Sequence, residues 1–511
     1  MKKTSIALIA VAALCTGLAA SASARMDSSE LRRDLAEAAD RSEGGQERVD
    51  FGVIEKIRAE GMERSKILET FDYLVTSIGP RLTNSPAHRR AVEWTGQQMK
   101  AMGLSDVHAE PFQFGRGWTL NKVSIEMVEP RYMPLIGYPV GWSPSTPGRI
   151  VATPVWLPGL EDAALKAQAG KLKGAILFTS PIQQYAIRAD RPAASGDLKP
   201  PNPRPVGPPQ LNAERLAVLK AEGIGVTIQP NIGEHGTLFV TGRDQGANAV
   251  PSIILASEQY NLIARMLQQQ IPVKLAVEIQ SAYHEDDRNT HNVIGEIPGS
   301  DLKDEIVMVG AHLDSWHTAT GATDNADGSA TVLEAMRILK TLNVRPRRTI
   351  RAALWAGEEQ GLLGSKAYVA QHLAGDKNKA ARDRFSVYFN LDNGYPPISG
   401  FYMEGNDPAR AIMTEWLKPM ANMGAIMPSP GHIGATDHLS FLEVGVPGFQ
   451  AVQEYVDYDV RTHHTNVDTA ERIDPNALKQ AATVMAAILY QAAMREGTFP
   501  KPAPPKVTSR Q

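Results

Sequence analysis

The sequence predicts an α/β protein with a mostly parallel, helix-covered sheet and an inserted, mainly β domain. Three observations predict it. From residue 291 onward, short apolar runs alternate with amphipathic stretches, the pattern of a sheet covered by helices. Between about 125 and 283 the texture changes to short strand patterns around a Pro-rich stretch. The 511 residues exceed one small domain, and 43% hydrophobic with 21% charged residues is a globular composition. A net charge of −3 gives no electrostatic reason to expect a nucleic-acid partner or an anionic membrane surface.

The elements follow in chain order. Lys2 and Lys3, the apolar run Ile6 to Ala20, and Ala22-Ser-Ala24 form a secretory signal peptide over 1–24, too short for a membrane anchor. The single cysteine, Cys15, lies inside it, so the exported chain has no disulfide and no thiolate ligand. Export without cysteine suits a periplasmic or secreted protein held by its core. Residues 28–66 read as two surface helices, and Pro86–Met102 as an amphipathic helix stopped by Gly103. In the insert, 174–178, 223–228, 250–255 and 271–283 read as strands and 213–221 as a helix. Seven prolines between 192 and 209 mark an extended loop.

Beyond the insert, strands are predicted at 291–297, 305–310, 349–356, 386–391 and 447–452. Helices are predicted at 330–342, 361–373, 407–423 and 475–495. The expected division is therefore a catalytic part over 25–124 plus 284–497, the insert over 125–283, and a Pro-rich, disordered tail over 498–511.

Nine of the twelve histidines lie between 284 and 464, which directs attention to the α/β part. In open α/β sheets, ligands bind beyond the carboxyl ends of the strands. His312 and Asp314 follow one predicted strand, Glu358 and Glu359 another, and Asp392 a third. Asp324 stands in the loop before a helix, and His463, His464 and Asp468 follow the last strand. Imidazoles and carboxylates without thiolates suit Zn²⁺. Five such ligands suffice for two ions bridged by one carboxylate, and a further glutamate beside them supplies a general base. Each piece alone has a plainer reading: a surface hydrogen bond for His312 and Asp314, a helix start for the glutamates, a helix cap for Asp324. Their joint placement at strand ends outweighs these.

Four segments carry a resemblance: His312-Leu-Asp-Ser-Trp316, Thr323-Asp-Asn-Ala-Asp-Gly-Ser329, Gly357-Glu-Glu-Gln-Gly-Leu-Leu-Gly-Ser365 and His464-Thr-Asn-Val-Asp-Thr469. In this order they resemble the two-zinc exopeptidase superfamily, which includes bacterial leucyl aminopeptidases, glutamate carboxypeptidases and carboxypeptidase Q. Ser77-Ile-Gly-Pro-Arg-Leu-Thr83 resembles it too, and the insert resembles a protease-associated domain. The resemblance implies the zinc exopeptidase fold, two Zn²⁺ per chain, and hydrolysis of terminal peptide bonds by a hydroxide between the ions.

It further implies that Asp324 bridges, that His312 and Asp392 complete one zinc site, and that Glu359 and His464 complete the other. Glu358 would be the general base, and Asp314 would orient His312. His464 is preferred over His463 because it precedes Asp468 by four residues, as in the superfamily. Some members place a tyrosine four residues before the Asp437-His438 pair; Ile433 stands there, so the oxyanion donor is sought among His438, Tyr455, Tyr458 and the ions. Asp437 is a further candidate substrate contact. Two other readings share the fold: a single-zinc glutaminyl cyclase, distinguished by metal content, and a non-catalytic receptor-like homologue, distinguished by lost ligands. The residue types leave open which end of a peptide is trimmed and how the chain assembles.

Overall fold

The computed structural model describes residues 47–183, 190 and 211–501. The signal peptide, Cys15, the start of the first predicted helices, the Pro-rich loop and the tail beyond 501 lie outside the described residues.

An eight-stranded sheet organises the α/β part. Its strands are β1 (Ser105–Gln113), β2 (Asn289–Ile297), β3 (Leu302–His312), β4 (Arg348–Trp355), β5 (Phe385–Asn390), β6 (Tyr395–Tyr402), β7 (Met427–Ser429) and β8 (Gly448–Glu454). They lie side by side as β1-β2-β4-β3-β5-β8-β6-β7. The centre, β4-β3-β5-β8, is parallel throughout. Pairings toward the margins, β1 with β2, β2 with β4 and β8 with β6, are antiparallel. The central strands are the continuous apolar runs read from the sequence, as both faces are covered. The unpredicted strands are marginal: β1 carries charges along an exposed edge, and β6 contains Pro396 and Pro397.

Helices Phe51–Glu63, Asp327–Thr341 and Pro475–Met494 pack together over the sheet. The last is nearly all apolar and buried, and it starts at a strong cap: Asp474 accepts from the backbone of Asn476 and Ala477, with Pro475 in the first turn. Burial of each Val, Leu or Ile there contributes about 1.5–3 kcal/mol. Two helices approach closely at Gly61, where a Cβ would lie 2.1 Å from Thr483 Oγ1. The predicted 407–423 helix is α-helical only over Pro408–Leu417 and tightens to 3₁₀ over Lys418–Met423, where Pro419 removes a backbone donor.

Residues 117–284 build two further sheets. One has four antiparallel strands, Met133–Pro134, Gly117–Glu129, Lys274–His284 and Ile150–Ala152. The other has five, Gly137–Pro139, Ser252–Leu255, Val226–Pro230, Ile176–Phe178 and Val155–Trp156, mostly parallel. Helices Asp162–Ala167, Ala213–Ala221 and Ser257–Gln268 accompany them.

Candidate metal centre

The carboxyl ends of the four central strands gather the predicted residues. His312 ends β3, and Asp392 lies two residues beyond β5. Past β4 the chain turns at Gly357, whose φ of +69° favours glycine, and delivers Glu358 and Glu359. Asp324 stands in the short turn Ala322–Ala326 before helix Asp327–Thr341. His464 follows the turn Tyr458–Thr462 after β8.

Asp324 lies between the two imidazoles. Its Oδ1 is 3.1 Å from His312 Nε2 and its Oδ2 is 3.3 Å from His464 Nε2. Asp392 Oδ1 is 3.5 Å from His312 Nε2, and Glu359 Oε2 is 2.8 Å from His464 Nε2. The five side chains thus form two three-membered groups sharing Asp324. Glu358 adjoins the first: ligand atoms of His312, Glu358 and Asp392 lie within 4.8 Å of one another. His463 comes within the same range of Asp324 and His464. Its ring, however, stacks on Tyr458 with centroids 5.1 Å apart, and its Nδ1 faces Asp459 at 3.9 Å.

Asp314 faces the second ring nitrogen of His312 with both its backbone carbonyl and its carboxylate. His312 Nδ1 is 3.0 Å from the backbone carbonyl of Asp314, while the Asp314 carboxylate stays 3.7 Å away. That carboxylate also accepts from Thr83 Oγ1 at 2.8 Å and from the backbone N–H groups of Glu358 and Glu359 at 3.3 and 3.4 Å. It therefore ties the glutamate turn to the β3 loop. Asp468 likewise accepts from Thr323 N and Oγ1 and from Asp324 N, fixing the turn that carries Asp324.

Arg81 braces the same loop from below. Its guanidinium donates to the carbonyls of Leu313, Leu74, Gly79, Thr320 and Gly321, all within 3.3 Å. Neither Arg81 nor Trp316, whose Nε1 donates to Glu359 Oε2 at 2.7 Å, has a readable role in sequence. Both stand inside the motifs that carry the resemblance, which was the one available signal.

Charge is the outstanding property of this region. Burial and the neighbouring Asp392 push the Glu358 carboxyl well above the usual range; burial and Asp324 do the same for Glu359. Asp468 and Asp437 are raised to about 7, chiefly by burial. Burial alone would lower the His312 pKa, but Glu358, Asp314, Asp324 and Asp392 raise it well above its ordinary value. His312 Nε2, Asp324 Oδ2 and Glu359 Oε1 are buried without a hydrogen-bond partner. Buried carboxylates in this number, with imidazole nitrogens and orphaned oxygens facing one another, fit divalent cations rather than an ordinary polar core.

Asp437, His438 and Tyr455 are buried. Asp437 is fully buried and electrostatically coupled to His312 and Asp392. His438 turns its Nε2 toward Glu404 Oε1 at 3.2 Å. Tyr455 places its hydroxyl 3.1 Å from that of Tyr402, in a buried cluster with Ile433 and Tyr458. His317 is engaged elsewhere: its Nε2 is 2.8 Å from the Pro139 carbonyl.

A parallel-centred α/β sheet with this centre at its carboxyl edge makes the chain similar in fold to a solved peptidase of family M28 and to a solved zinc aminopeptidase. Residues 292–489 match peptidase family M28. Carboxypeptidase Q of Bos taurus is 28% identical over 447 residues, covering 86% of this chain and 88% of that protein. The Homo sapiens protein of that name is 27% identical over 446 residues with the same coverage. Among solved structures, a peptidase M28 precursor from Shewanella amazonensis is 27% identical with a TM-score of 0.67, covering 89% of this chain and 99% of that one. A zinc aminopeptidase from Bacillus subtilis, 21% identical, shares the fold at a TM-score of 0.56, with 84% and 95% covered.

Proposed function

We propose that the chain is an exported di-zinc exopeptidase that removes terminal residues from peptides or dipeptides. The observation that carries this is Asp324, with one oxygen toward His312 and the other toward His464. Asp324, His312 and Asp392 would hold one ion; Asp324, Glu359 and His464 the other. His464 is preferred to His463 because its Nε2 faces two carboxylates of the centre. Two zinc ions held there would supply Lewis-acid polarisation of the scissile carbonyl and would lower the pKa of a water to near 7.

The chain's own residues do the rest. Glu358, next to the His312 and Asp392 group, would take the proton of the attacking water as the carboxylate and return it to the leaving amine. Asp314 keeps Glu358 in place through its backbone N–H. Buried His438 and Tyr455 are the candidates for oxyanion contact, and Asp437 for a substrate contact.

Residues 1–24 are proposed as the export signal, in keeping with a described chain that has no helix long and apolar enough to cross a membrane. The 125–283 segment is proposed as a protease-associated insert in a catalytic domain of 25–124 plus 284–497; the expected disordered tail over 498–511 does not start at 498, because Phe499 is buried against Trp416 and Phe449. The separate sheets of residues 117–284 support that division. A panel of dipeptides, aminoacyl arylamides and N-blocked peptides, run with and without chelator, tests the reading. Chelator-sensitive release of terminal residues is expected; no peptide hydrolysis by zinc-loaded protein would refute it. Cleavage of blocked-amine substrates would assign the carboxyl end.

A further inference from the structure

Three indoles, Trp118, Trp142 and Trp316, pack with Leu82 in one buried cluster between the 117–284 sheets and the β3 loop. Trp118 Nε1 donates to the Ser143 carbonyl at 2.9 Å, and Trp142 Nε1 to the Arg116 carbonyl at 2.8 Å. These are ordinary satisfied backbone contacts. Trp316 Nε1 instead donates to Glu359 Oε2, the oxygen that also lies 2.8 Å from His464 Nε2.

The indole is held from several sides. Trp316 is 5% exposed, and its ring meets the His464 ring edge-on with centroids 6.0 Å apart. A Cβ on Gly141, at the edge of the 117–284 sheets, would lie 3.2 Å from its Cζ3. An indole N–H only donates, so its partner oxygen must keep an acceptor lone pair toward it. The other Glu359 oxygen, Oε1, has no hydrogen-bond partner. The donor therefore sets the plane of a carboxylate that nothing else on Oε1 restrains.

We infer that Trp316 is a positioning residue: its N–H fixes the Glu359 carboxylate in the orientation that completes the Asp324–Glu359–His464 half of the metal pair. The inference rests on the two-zinc reading above. It makes the aromatic cluster beside the insert part of the support of one zinc site and not the other, as Glu359 belongs to one group only. A lost outer donor of this kind weakens metal binding by about 10- to 100-fold.

The test is equilibrium competition of the metal-free full chain with a chromophoric zinc chelator, for wild type, Trp316→Phe and Trp142→Phe. Near-ultraviolet circular dichroism and thermal unfolding of each metal-free protein report folding. Wild type is expected to take two ions. Trp316→Phe is expected to keep one at wild-type affinity and to bind the other about 10- to 100-fold more weakly, while Trp142→Phe keeps both. Two unchanged affinities in Trp316→Phe overturn the inference while leaving the two-zinc reading intact. Equal weakening in both variants also overturns it, because packing and not donation would then be responsible. A wild type that binds no zinc overturns the two-zinc reading and this inference together. A wild type that binds one ion, weakened only by Trp316→Phe, refutes the pair and sustains the role of Trp316. Should Trp316→Phe not fold, ¹⁵N-indole spectra of the wild type decide: a zinc-dependent shift of an indole N–H sustains the inference, and no shift among its seven indoles overturns it.

Discussion

Replacing Arg81 by Met removes the group that organises the loop between His312 and Asp324 while roughly keeping its volume. The guanidinium serves five backbone carbonyls. Those of Leu74 and Gly321 also accept from the N–H groups of Gly79 and Ala326 and keep those bonds. The carbonyls of Gly79, Leu313 and Thr320 lose their guanidinium donor. At about 1–2 kcal/mol for each buried acceptor left without a partner, the loss is about 3–6 kcal/mol. Burial also opposes the Arg81 charge, whose pKa is lowered to about 10, and deleting that charge returns part of the cost. The net expectation is about 2–4 kcal/mol of lost stability, read as a lower urea midpoint at unchanged slope for metal-free protein. Arg81→Lys, with three donors on a single nitrogen, recovers less than half because it cannot reach carbonyls on opposite sides. A midpoint shift equivalent to less than about 0.5 kcal/mol for Arg81→Met would refute the bracing role.

Three further outcomes are expected. Glu358→Gln keeps zinc stoichiometry and lowers kcat by at least about 10²-fold, as measured by steady-state hydrolysis of a chromogenic substrate; near-wild-type turnover would remove Glu358 as the base. His88 is buried with a pKa lowered to about 4 by desolvation, so the unfolded chain binds its proton more tightly than the folded one. Its contribution is complete above about pH 6.5 and is lost as pH falls toward 4, about 3 kcal/mol in all, so His88→Gln flattens the acid limb of a urea-midpoint series. Gly61→Val places branched carbons where a single Cβ would already be 2.1 Å from Thr483, and it lowers the unfolding temperature, by an amount corresponding to about 1–3 kcal/mol.

Sequence was most informative where one periodicity governed a segment. The central strands and the 475–495 helix were legible because burial on both faces makes their apolar runs continuous. Ser105–Gln113 was missed because an exposed edge tolerates Asp106 and His108, and Tyr395–Tyr402 because two prolines interrupt its strand pattern. At the site, each of the five candidate ligands was marked by following a strand. Their mutual distances were not legible, since these depend on sheet order, in which β3 lies between β4 and β5. Arg81 was invisible for a different reason: its partners are backbone carbonyls, which every residue possesses. The backbone carbonyl of Asp314, 3.0 Å from His312 Nδ1, was equally invisible, for the same reason.

Zinc content of metal-free chains reloaded under a zinc buffer, compared across single-ligand variants, tests the shared role of Asp324 most directly. His312→Ala and His464→Ala should each retain one ion of the wild-type two, and Asp324→Ala should retain none with a fold unchanged by circular dichroism. An Asp324→Ala chain that still binds both ions, or either with wild-type affinity, would contradict the paired centre.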